Sequence, residues 1–175
     1  MFVALDRDGT IIDHVHHLIE KTQIKLIPGA GDSIRKLNEA GIPVVVLTNQ
    51  SVVGRGMISL DDLNQINEFI TEQFNSLGAT IEFFLTCPHV SNDFCQCRKP
   101  NTELLSSAAE ILKMKTSQAI IIGDSESDME MASRVRTIGL HVKTGVCQQS
   151  IFASLSFLSI VEAVDYILEE IFIEG

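Results

Sequence analysis

Basic residues are scarce in this sequence, which has 13 Lys and Arg against 23 Asp and Glu and a formal net charge of -10. A field of this sign repels nucleic acids and anionic membranes unless cations are locally concentrated. Long uninterrupted apolar runs are also missing, because the apolar tail at 151–173 carries Glu162, Asp165, Glu169 and Glu170, which a bilayer-spanning helix tolerates poorly. We therefore expect no nucleic-acid partner and no membrane segment, and we interpret the tail as a helix of the core.

The N-terminal segment MFVALDRDGT lacks the basic start and the long apolar stretch of a secretory signal, which predicts a cytoplasmic protein. Internal repeats, low-complexity segments and linkers are absent as well. The 175 residues, 45% hydrophobic and 21% charged, have the size and balance of one globular domain with a full core. We expect a single domain over 1–175 and a monomer.

Short apolar runs alternate with amphipathic stretches along the chain. The predicted strands are 2–5, 44–47, 81–85, 119–122 and 138–142, and the predicted helices are 32–40, 60–77, 101–114, 126–135 and 160–172. Fully apolar strands indicate a parallel sheet covered on both faces, so this order predicts a doubly wound, open α/β domain. Ser59 and Asp62 indicate a capping box, and Gly41 and Gly78 indicate helix ends. The segments 9–28, 48–58 and 87–100 should be loops on one rim.

Three of the predicted strands run directly into polar residues. The first is followed by Asp6 and Asp8, the second by Thr48, and the fourth, after a glycine, by Asp124. Parallel strands end at one edge of an open sheet, where ligands bind, so these side chains should converge. Asp6 and Asp8 are two apart in an extended segment and should point to the same side, which predicts a carboxylate cluster with Asp124.

A cluster of carboxylates needs a cation, and oxygen ligands of this kind are those that Mg²⁺ prefers. Such an ion neutralises both an anionic nucleophile and an anionic phosphate, while Thr48 and Lys99 can donate to phosphoryl oxygens. The set therefore predicts phosphoryl transfer to a carboxylate. Aspartates after strands also form ordinary turns and helix caps. A phospho-accepting receiver domain is the alternative from another class, although it would not need the cysteine-rich loop that precedes Lys99.

Three of the four cysteines lie between residues 87 and 97, in the sequence CPHVSNDFCQC. In a reducing compartment this clustering indicates a metal rather than disulfides. The predicted ligands form a Cys₃His set suited to tetrahedral zinc, namely Cys87, His89, Cys95 and Cys97. Four protein ligands leave no open position, so the zinc should be structural. Because Arg98 and Lys99 follow directly, it should fix the loop that aims both cations at phosphate. Incidental buried cysteines are the alternative.

Four segments resemble the four motifs of the haloacid dehalogenase superfamily of phosphatases: DRDGT at 6–10, LTN at 47–49, RKP at 98–100 and GDSESD at 123–128. The resemblance implies a Rossmann-like fold, here without a large cap domain, because no long insertion follows the first motif. It also implies an open site whose selectivity comes from loops.

The resemblance further implies a role for each matching residue. Asp6 is expected to attack phosphorus, and Asp8 is expected to protonate the leaving group and later to activate water. Thr48 and Lys99 would hold the phosphoryl group. Magnesium would be held by Asp6, by the backbone carbonyl of Asp8 and by Asp124. Asp128 would support the metal site or Lys99 without binding the ion.

Within the superfamily, the cysteine-rich loop resembles that of two groups, the D,D-heptose 1,7-bisphosphate phosphatases of lipopolysaccharide heptose biosynthesis and the histidinol-phosphate phosphatases. TNQSVVGRG at 48–56, KTG at 143–145 and the spacing to Pro28 are more similar to the heptose group. A bisphosphate needs a second anion site, which Arg55, Arg98 and Lys143 could form, whereas the amine of histidinol phosphate would want a carboxylate there. The substrate-binding residues predicted in this part of the site are Asn49, Gln50, Ser51, Arg55 and Arg98.

The loop histidines keep two interpretations. His14, His16 and His17 form a cluster without a matching carboxylate set, which favours a solvated or substrate-facing loop over a metal site. Cys147 is interpreted as a lone thiol without a role.

Overall fold

The computed structural model describes residues 1–171, which form one six-stranded parallel sheet with helices on both faces. The strands are β1 (Phe2–Leu5), β2 (Val44–Asn49), β3 (Phe84–Cys87), β4 (Ala119–Gly123), β5 (Ile138–Val142) and β6 (Leu155–Phe157). Their order in the sheet is β3-β2-β1-β4-β5-β6. The open doubly wound α/β fold predicted from the sequence is therefore confirmed.

The helices are α1 (Ala30–Glu39), α2 (Ser51–Gly54), α3 (Leu60–Ser76), α4 (Glu103–Ile111), α5 (Glu126–Arg134) and α6 (Ile160–Tyr166), and a π-helical turn, Ile167–Ile171, follows the last. Alternate residues of β1 point to opposite faces of the sheet, as the pleat requires. Val3 and Leu5 pack with α1, α3 and α6. Phe2 and Ala4 pack with α4 and α5. The sheet is thus buried on both faces, which explains its fully apolar strands.

The predicted capping box and helix ends are confirmed. Ser59 Oγ accepts a hydrogen bond from Asp62 N at 3.1 Å, and Ser59 N donates to Asp62 Oδ2 at 2.9 Å. Gly41 and Gly78 follow α1 and α3 with φ of 73° and 74°, a left-handed conformation that glycine adopts without strain.

Three parts of the predicted secondary structure are wrong. The segment 48–58, predicted as a loop, contains the end of β2 and the short helix α2, Ser51–Gly54. The third strand is Phe84–Cys87 rather than 81–85, because it pairs with the end of β2, where Asn49 lies opposite Cys87. The tail is not helical from 151, since Leu155–Phe157 adds a sixth strand beside β5. The alternation of serine with Leu155 and Phe157 fits that strand. The predicted last helix extends to 172, a position outside the described residues.

Within residues 1–171, no helix combines the length and the hydropathy that crossing a membrane requires. The carboxyl ends of β1, β2 and β4, which are neighbours in the sheet, bring the three predicted polar segments to one edge. The candidate site lies there.

Candidate active site

A cavity of about 360 Å³ opens at the carboxyl edge of the sheet. Five of its buried and half-buried polar residues, here called the inner group, are Asp6, Asp8, Thr48, Lys99 and Asp124. Five further residues that are more exposed or lie on the loops around it, here called the outer group, are His14, His16, His17, Arg55 and Arg98. The predicted substrate contacts Asn49, Gln50 and Ser51 also line the cavity. The predicted residues are thus brought together, with the exception of Lys143, which is exposed and not part of the lining.

A cluster of three carboxylates lies at the base of the cavity. One oxygen from each of Asp6, Asp124 and Asp128 lies within 4.8 Å of the other two. The sequence-based expectation that the Asp8 carboxylate belongs to this cluster is wrong, because that side chain pairs with Arg7 instead. Asp8 nevertheless lines the same cavity as Asp6. Three close, buried carboxylates fit a hard divalent cation such as Mg²⁺, which binds oxygen ligands.

Lys99 is the cation of this cluster. Its Nζ donates to Asp6 Oδ1 at 2.7 Å and pairs with Asp128 Oδ1 at 2.6 Å. The same atom donates to the carbonyl of Leu47 at 2.6 Å. Burial alone would lower the pKa of Lys99, but the charges of Asp128 and Asp6 raise it above its ordinary value. Lys99 therefore stays protonated at neutral pH and links Asp6 to Asp128.

The carboxylate of Asp124 is held by the segment that follows β5. Val146 N donates to Asp124 Oδ2 at 2.9 Å, and an added Cβ at Gly145 would overlap that oxygen. Burial, and next the charge of Asp6, raise the pKa of Asp124 to about 7. Burial and the charge of Asp6 both disfavour the ionised form of Asp124. A divalent cation would offset both, which is a second reason why a cation fits here.

Asp8 is held by a buried arginine that sequence reasoning missed. Arg7 is fully buried, and its Nε and Nη2 donate to the two oxygens of Asp8 at 3.0 and 3.3 Å. Its Nη1 donates to Asn67 Oδ1 on α3 at 3.0 Å, and Gln50 Nε2 donates to Asp8 Oδ2 at 2.6 Å. The signal was Asn67 itself, a polar residue on the face of α3 that buries Ile66 and Ile70.

Asn49 and Gln50 make internal contacts in addition to lining the cavity. The Asn49 side chain accepts from Lys99 N at 3.0 Å and donates to Lys99 O at 3.1 Å. Gln50 Nε2 also donates to Thr48 Oγ1 at 2.8 Å. The end of β2 therefore fixes the backbone of Lys99 and connects Thr48 to Asp8.

The predicted Cys₃His set is assembled beside the cavity. Cys97 Sγ lies 3.2 Å from Cys87 Sγ and 3.6 Å from Cys95 Sγ, and His89 Nδ1 lies 3.2 Å from Cys97 Sγ. These separations are far longer than a disulfide of about 2.05 Å. They approach the roughly 3.8 Å edges of a tetrahedron with Zn–S bonds of about 2.3 Å. The four side chains therefore fit a zinc ion.

The cysteine-rich loop is connected to the cavity through Arg98. Its Nη1 donates to the backbone carbonyl of His89 at 3.1 Å, so Arg98 is bound to the backbone of one of the four residues that could hold zinc. Arg55 Nε makes a longer contact to Ser51 Oγ at 3.4 Å. Arg55 is exposed and lines the cavity, and among the described residues it has no acidic ion-pair partner.

The three loop histidines line the cavity, which agrees with the interpretation of a solvated or substrate-facing loop. Within the part of the chain that is described, they are not among the groups of side chains that could hold a metal ion. Cys147 lies outside the lining, and its Sγ donates to Gln149 O at 2.8 Å.

Residues 12–136 match the sequence model of a family described as haloacid dehalogenase-like hydrolases. The match covers well over half of the chain. It includes Thr48, Lys99 and Asp124, whereas Asp6 and Asp8 precede it.

Two curated relatives and one solved structure are similar to this chain. It is 35% identical over 135 residues to the D-glycero-beta-D-manno-heptose-1,7-bisphosphate 7-phosphatase of Rhodopseudomonas palustris, covering 73% of this chain and 75% of the relative. It is 31% identical over 146 residues to the histidine biosynthesis bifunctional protein HisB of Buchnera aphidicola, covering 82% of this chain and 41% of that protein. The D,D-heptose 1,7-bisphosphate phosphatase from B. bronchiseptica, complexed with magnesium and phosphate, has a TM-score of 0.89 at 24% identity and matches 97% of this chain and 99% of that chain. At that identity the structure shows the shared fold.

Proposed function

The chain belongs to the haloacid dehalogenase-like hydrolases, and we propose that it is a Mg²⁺-dependent phosphatase of a small sugar bisphosphate. The proposed substrate is D-glycero-D-manno-heptose 1,7-bisphosphate, which loses the phosphate at C7 and leaves the 1-phosphate. The similarity to heptose bisphosphate phosphatases supports this substrate. A bisphosphate substrate implies two anion sites in one cavity.

The separation of charge in the cavity is the observation that carries the proposal. All carboxylates of the lining belong to the inner group, and the outer group contains Arg55 and Arg98 without a carboxylate among residues 1–171. A phosphate at the base can meet Lys99, and a second phosphate at the mouth can meet the two arginines through charge-assisted hydrogen bonds. A substrate with one phosphate and one amine would leave both arginines without an anion.

In the proposed reaction, Asp6 attacks the phosphorus and forms an aspartyl-phosphate, which water then hydrolyses. Lys99 orients the Asp6 carboxylate and neutralises phosphoryl oxygens. The Thr48 hydroxyl donates a hydrogen bond to the same phosphoryl group. Asp8 protonates the departing sugar oxygen and later takes a proton from the attacking water. Arg7 and Gln50 support that role because they fix the orientation of the Asp8 carboxylate.

Magnesium would be held by Asp6, by Asp124 and by the backbone carbonyl of Asp8. When bound, it supplies positive charge that lets an anionic nucleophile meet an anionic phosphate. Asp128 remains with Lys99 and with Ser125, whose Oγ donates to Asp128 Oδ2 at 2.6 Å. The Cys₃His set would hold a structural zinc that keeps Arg98 and Lys99 in place.

Histidinol phosphate is the second candidate, because the chain also resembles HisB. Its amine would be best recognised by a carboxylate near the cavity mouth, but the carboxylates of the lining all lie in the inner group. The bisphosphate is therefore the better fit. Membership of a hydrolase family likewise favours an enzyme over a receiver domain.

A substrate comparison tests the proposal. Phosphate release with Mg²⁺ would be measured for heptose 1,7-bisphosphate, heptose 7-phosphate and histidinol phosphate. We expect the highest kcat/KM for the bisphosphate. The Asp6→Asn variant, whose amide has nearly the same size but cannot attack phosphorus, should have no turnover. A preference for histidinol phosphate, turnover by Asp6→Asn, or accumulation of a stable phosphoprotein would overturn the proposal.

A further inference from the structure

The loop between β1 and α1 carries two histidines in an unusual arrangement. The rings of His16 and His17 have centroids 3.9 Å apart and are tilted by 37°. His17 has a φ of 57°, which lies in the left-handed region that residues with a side chain seldom adopt. With this backbone conformation, the side chain of His17 lines the cavity.

The charged groups around His17 come from several elements. His16 lies on the same loop as His17. Arg55, which follows α2, is close enough to His17 to act on it electrostatically. His14 and Arg98 line the same cavity, while the carboxylates of the lining are those of the inner group. Partial desolvation, then His16 and Arg55, lower the pKa of His17. At neutral pH without substrate, His17 is therefore mostly uncharged.

We propose that His17, supported by the ring of His16, is a proton-linked contact of the second phosphate, beside Arg55. The proposal rests on the proposed function and adds a residue and a pH dependence to it. A phosphate dianion near the cavity mouth would supply the negative charge that the outer group lacks. His17 would then take up a proton when the bisphosphate binds and donate a hydrogen bond to the phosphate.

Linkage determines the expected pH dependence. If the bound complex holds a proton that the free protein does not, binding tightens as the pH falls, by at most about tenfold per pH unit. The phosphate itself becomes a monoanion near pH 6, which opposes this effect. The informative range is therefore about pH 6.5 to 8, where the phosphate stays largely dianionic.

The test compares two substrates and three proteins across that range. The ratio of kcat/KM for heptose 1,7-bisphosphate to that for heptose 7-phosphate would be measured for the wild type, His17→Asn and Asp13→Asn. Asparagine tolerates the left-handed backbone of His17, and Asp13→Asn is the control because Asp13 is an exposed residue of the same loop outside the cavity lining. For the wild type and Asp13→Asn, we expect the ratio to rise about three- to tenfold from pH 8 to 6.5. His17→Asn should lose most of that rise.

A binding measurement gives a readout that does not depend on turnover. The Asp6→Asn variant would be titrated with heptose 1,7-bisphosphate by calorimetry at pH 7.5, in two buffers with different enthalpies of ionisation. We expect uptake of up to about one proton per bisphosphate, and less for Asp6→Asn combined with His17→Asn.

The outcomes separate this proposal from the proposed function. If the wild type prefers the bisphosphate but His17→Asn keeps the same pH-dependent ratio and the same proton uptake, His17 does not contact the second phosphate. Equal loss of the rise in Asp13→Asn would also overturn the assignment to His17. If the wild type shows no preference for the bisphosphate at any pH, the proposed function fails and this proposal fails with it.

Discussion

Arg7 is expected to be among the most sensitive positions outside the reacting groups. Its guanidinium is fully buried and donates to both oxygens of Asp8 and to Asn67 Oδ1. Arg7→Met keeps a side chain of similar length but removes every one of these donors. The Asp8 carboxylate, only 14% exposed, then loses its positive partner, and a buried amide oxygen loses its donor.

The cost follows from those contacts. Removing one partner of a buried ion pair costs about 3–5 kcal/mol, because an uncompensated charge remains. Gln50 still donates to Asp8 Oδ2 at 2.6 Å, so we expect the lower end, about 3 kcal/mol. For a protein of this size, 1 kcal/mol shifts Tm by about 2–4 °C. Arg7→Met should therefore lower Tm by about 6–12 °C, and it should lower kcat because Asp8 is no longer oriented.

Arg35→Met is the matched control. Arg35 pairs with Asp32 and Glu39 on the surface of α1, and its side chain is 39% exposed. Exposed pairs of this kind contribute about 0–1 kcal/mol. The free energy of unfolding of both variants would be measured by urea denaturation without substrate. A difference between them below about 1 kcal/mol would refute the reasoning, because the buried pair would then be worth no more than a surface pair.

Three further predictions concern the metals and the second phosphate. The purified protein should carry about one zinc per chain by elemental analysis, and Cys95→Ser should lower zinc content, Tm and activity without changing the Mg²⁺ requirement. Arg55→Ala should lower kcat/KM for the bisphosphate about ten- to a hundredfold relative to heptose 7-phosphate, the loss of a charge-assisted contact of about 1.5–3 kcal/mol. Without Mg²⁺, the Tm of the wild type relative to that of Asp124→Asn should fall as the pH rises from about 4 to 7, because burial raises the folded pKa of Asp124 to about 7 and the folded state then binds more protons. Mg²⁺ should stabilise the protein more at pH 8 than at pH 5.

Each of these has an outcome that would contradict it. Protein purified without chelators and found free of zinc would exclude the zinc prediction. An Arg55→Ala variant that slows both heptose substrates equally would show that Arg55 does not contact the second phosphate. Equal stabilisation by Mg²⁺ at pH 5 and pH 8 would show that the ion does not replace a proton on Asp124.

The main features of the fold could be predicted because they depend on local patterns. Fully apolar strands such as β1 and β4, separated by amphipathic helices, lead to a parallel sheet, and parallel strands end at one edge. The convergence of Asp6, Thr48 and Asp124 follows from that rule alone. The strand β6 was missed because its three residues lie in an apolar tail, where helix and strand patterns are hard to separate.

The two candidate metal sites, the Cys₃His set and the carboxylate cluster, differ in how far the sequence could predict them. Cys87 and His89, like Cys95 and Cys97, are two residues apart, so their side chains are close in almost any loop, and spacing alone predicted the set. The carboxylate cluster depends on several elements. Asp8 is only two residues from Asp6 in the sequence, but its carboxylate is not part of the cluster. Asp128 joins Asp6 and Asp124 instead, because α5 directs Asp128 toward Lys99.

The sequence by itself determined the sheet, the edge that carries the site and most of the residues there, since periodicity and short spacings are properties of neighbouring residues. Tertiary structure decided which charges became partners. Arg7 is bound by Asn67, sixty residues away, and His17 acquired Arg55 as a neighbour. Such choices depend on how helices and loops pack across the sheet, because a charged side chain has several possible partners at similar energies until burial and geometry leave only one within hydrogen-bond distance.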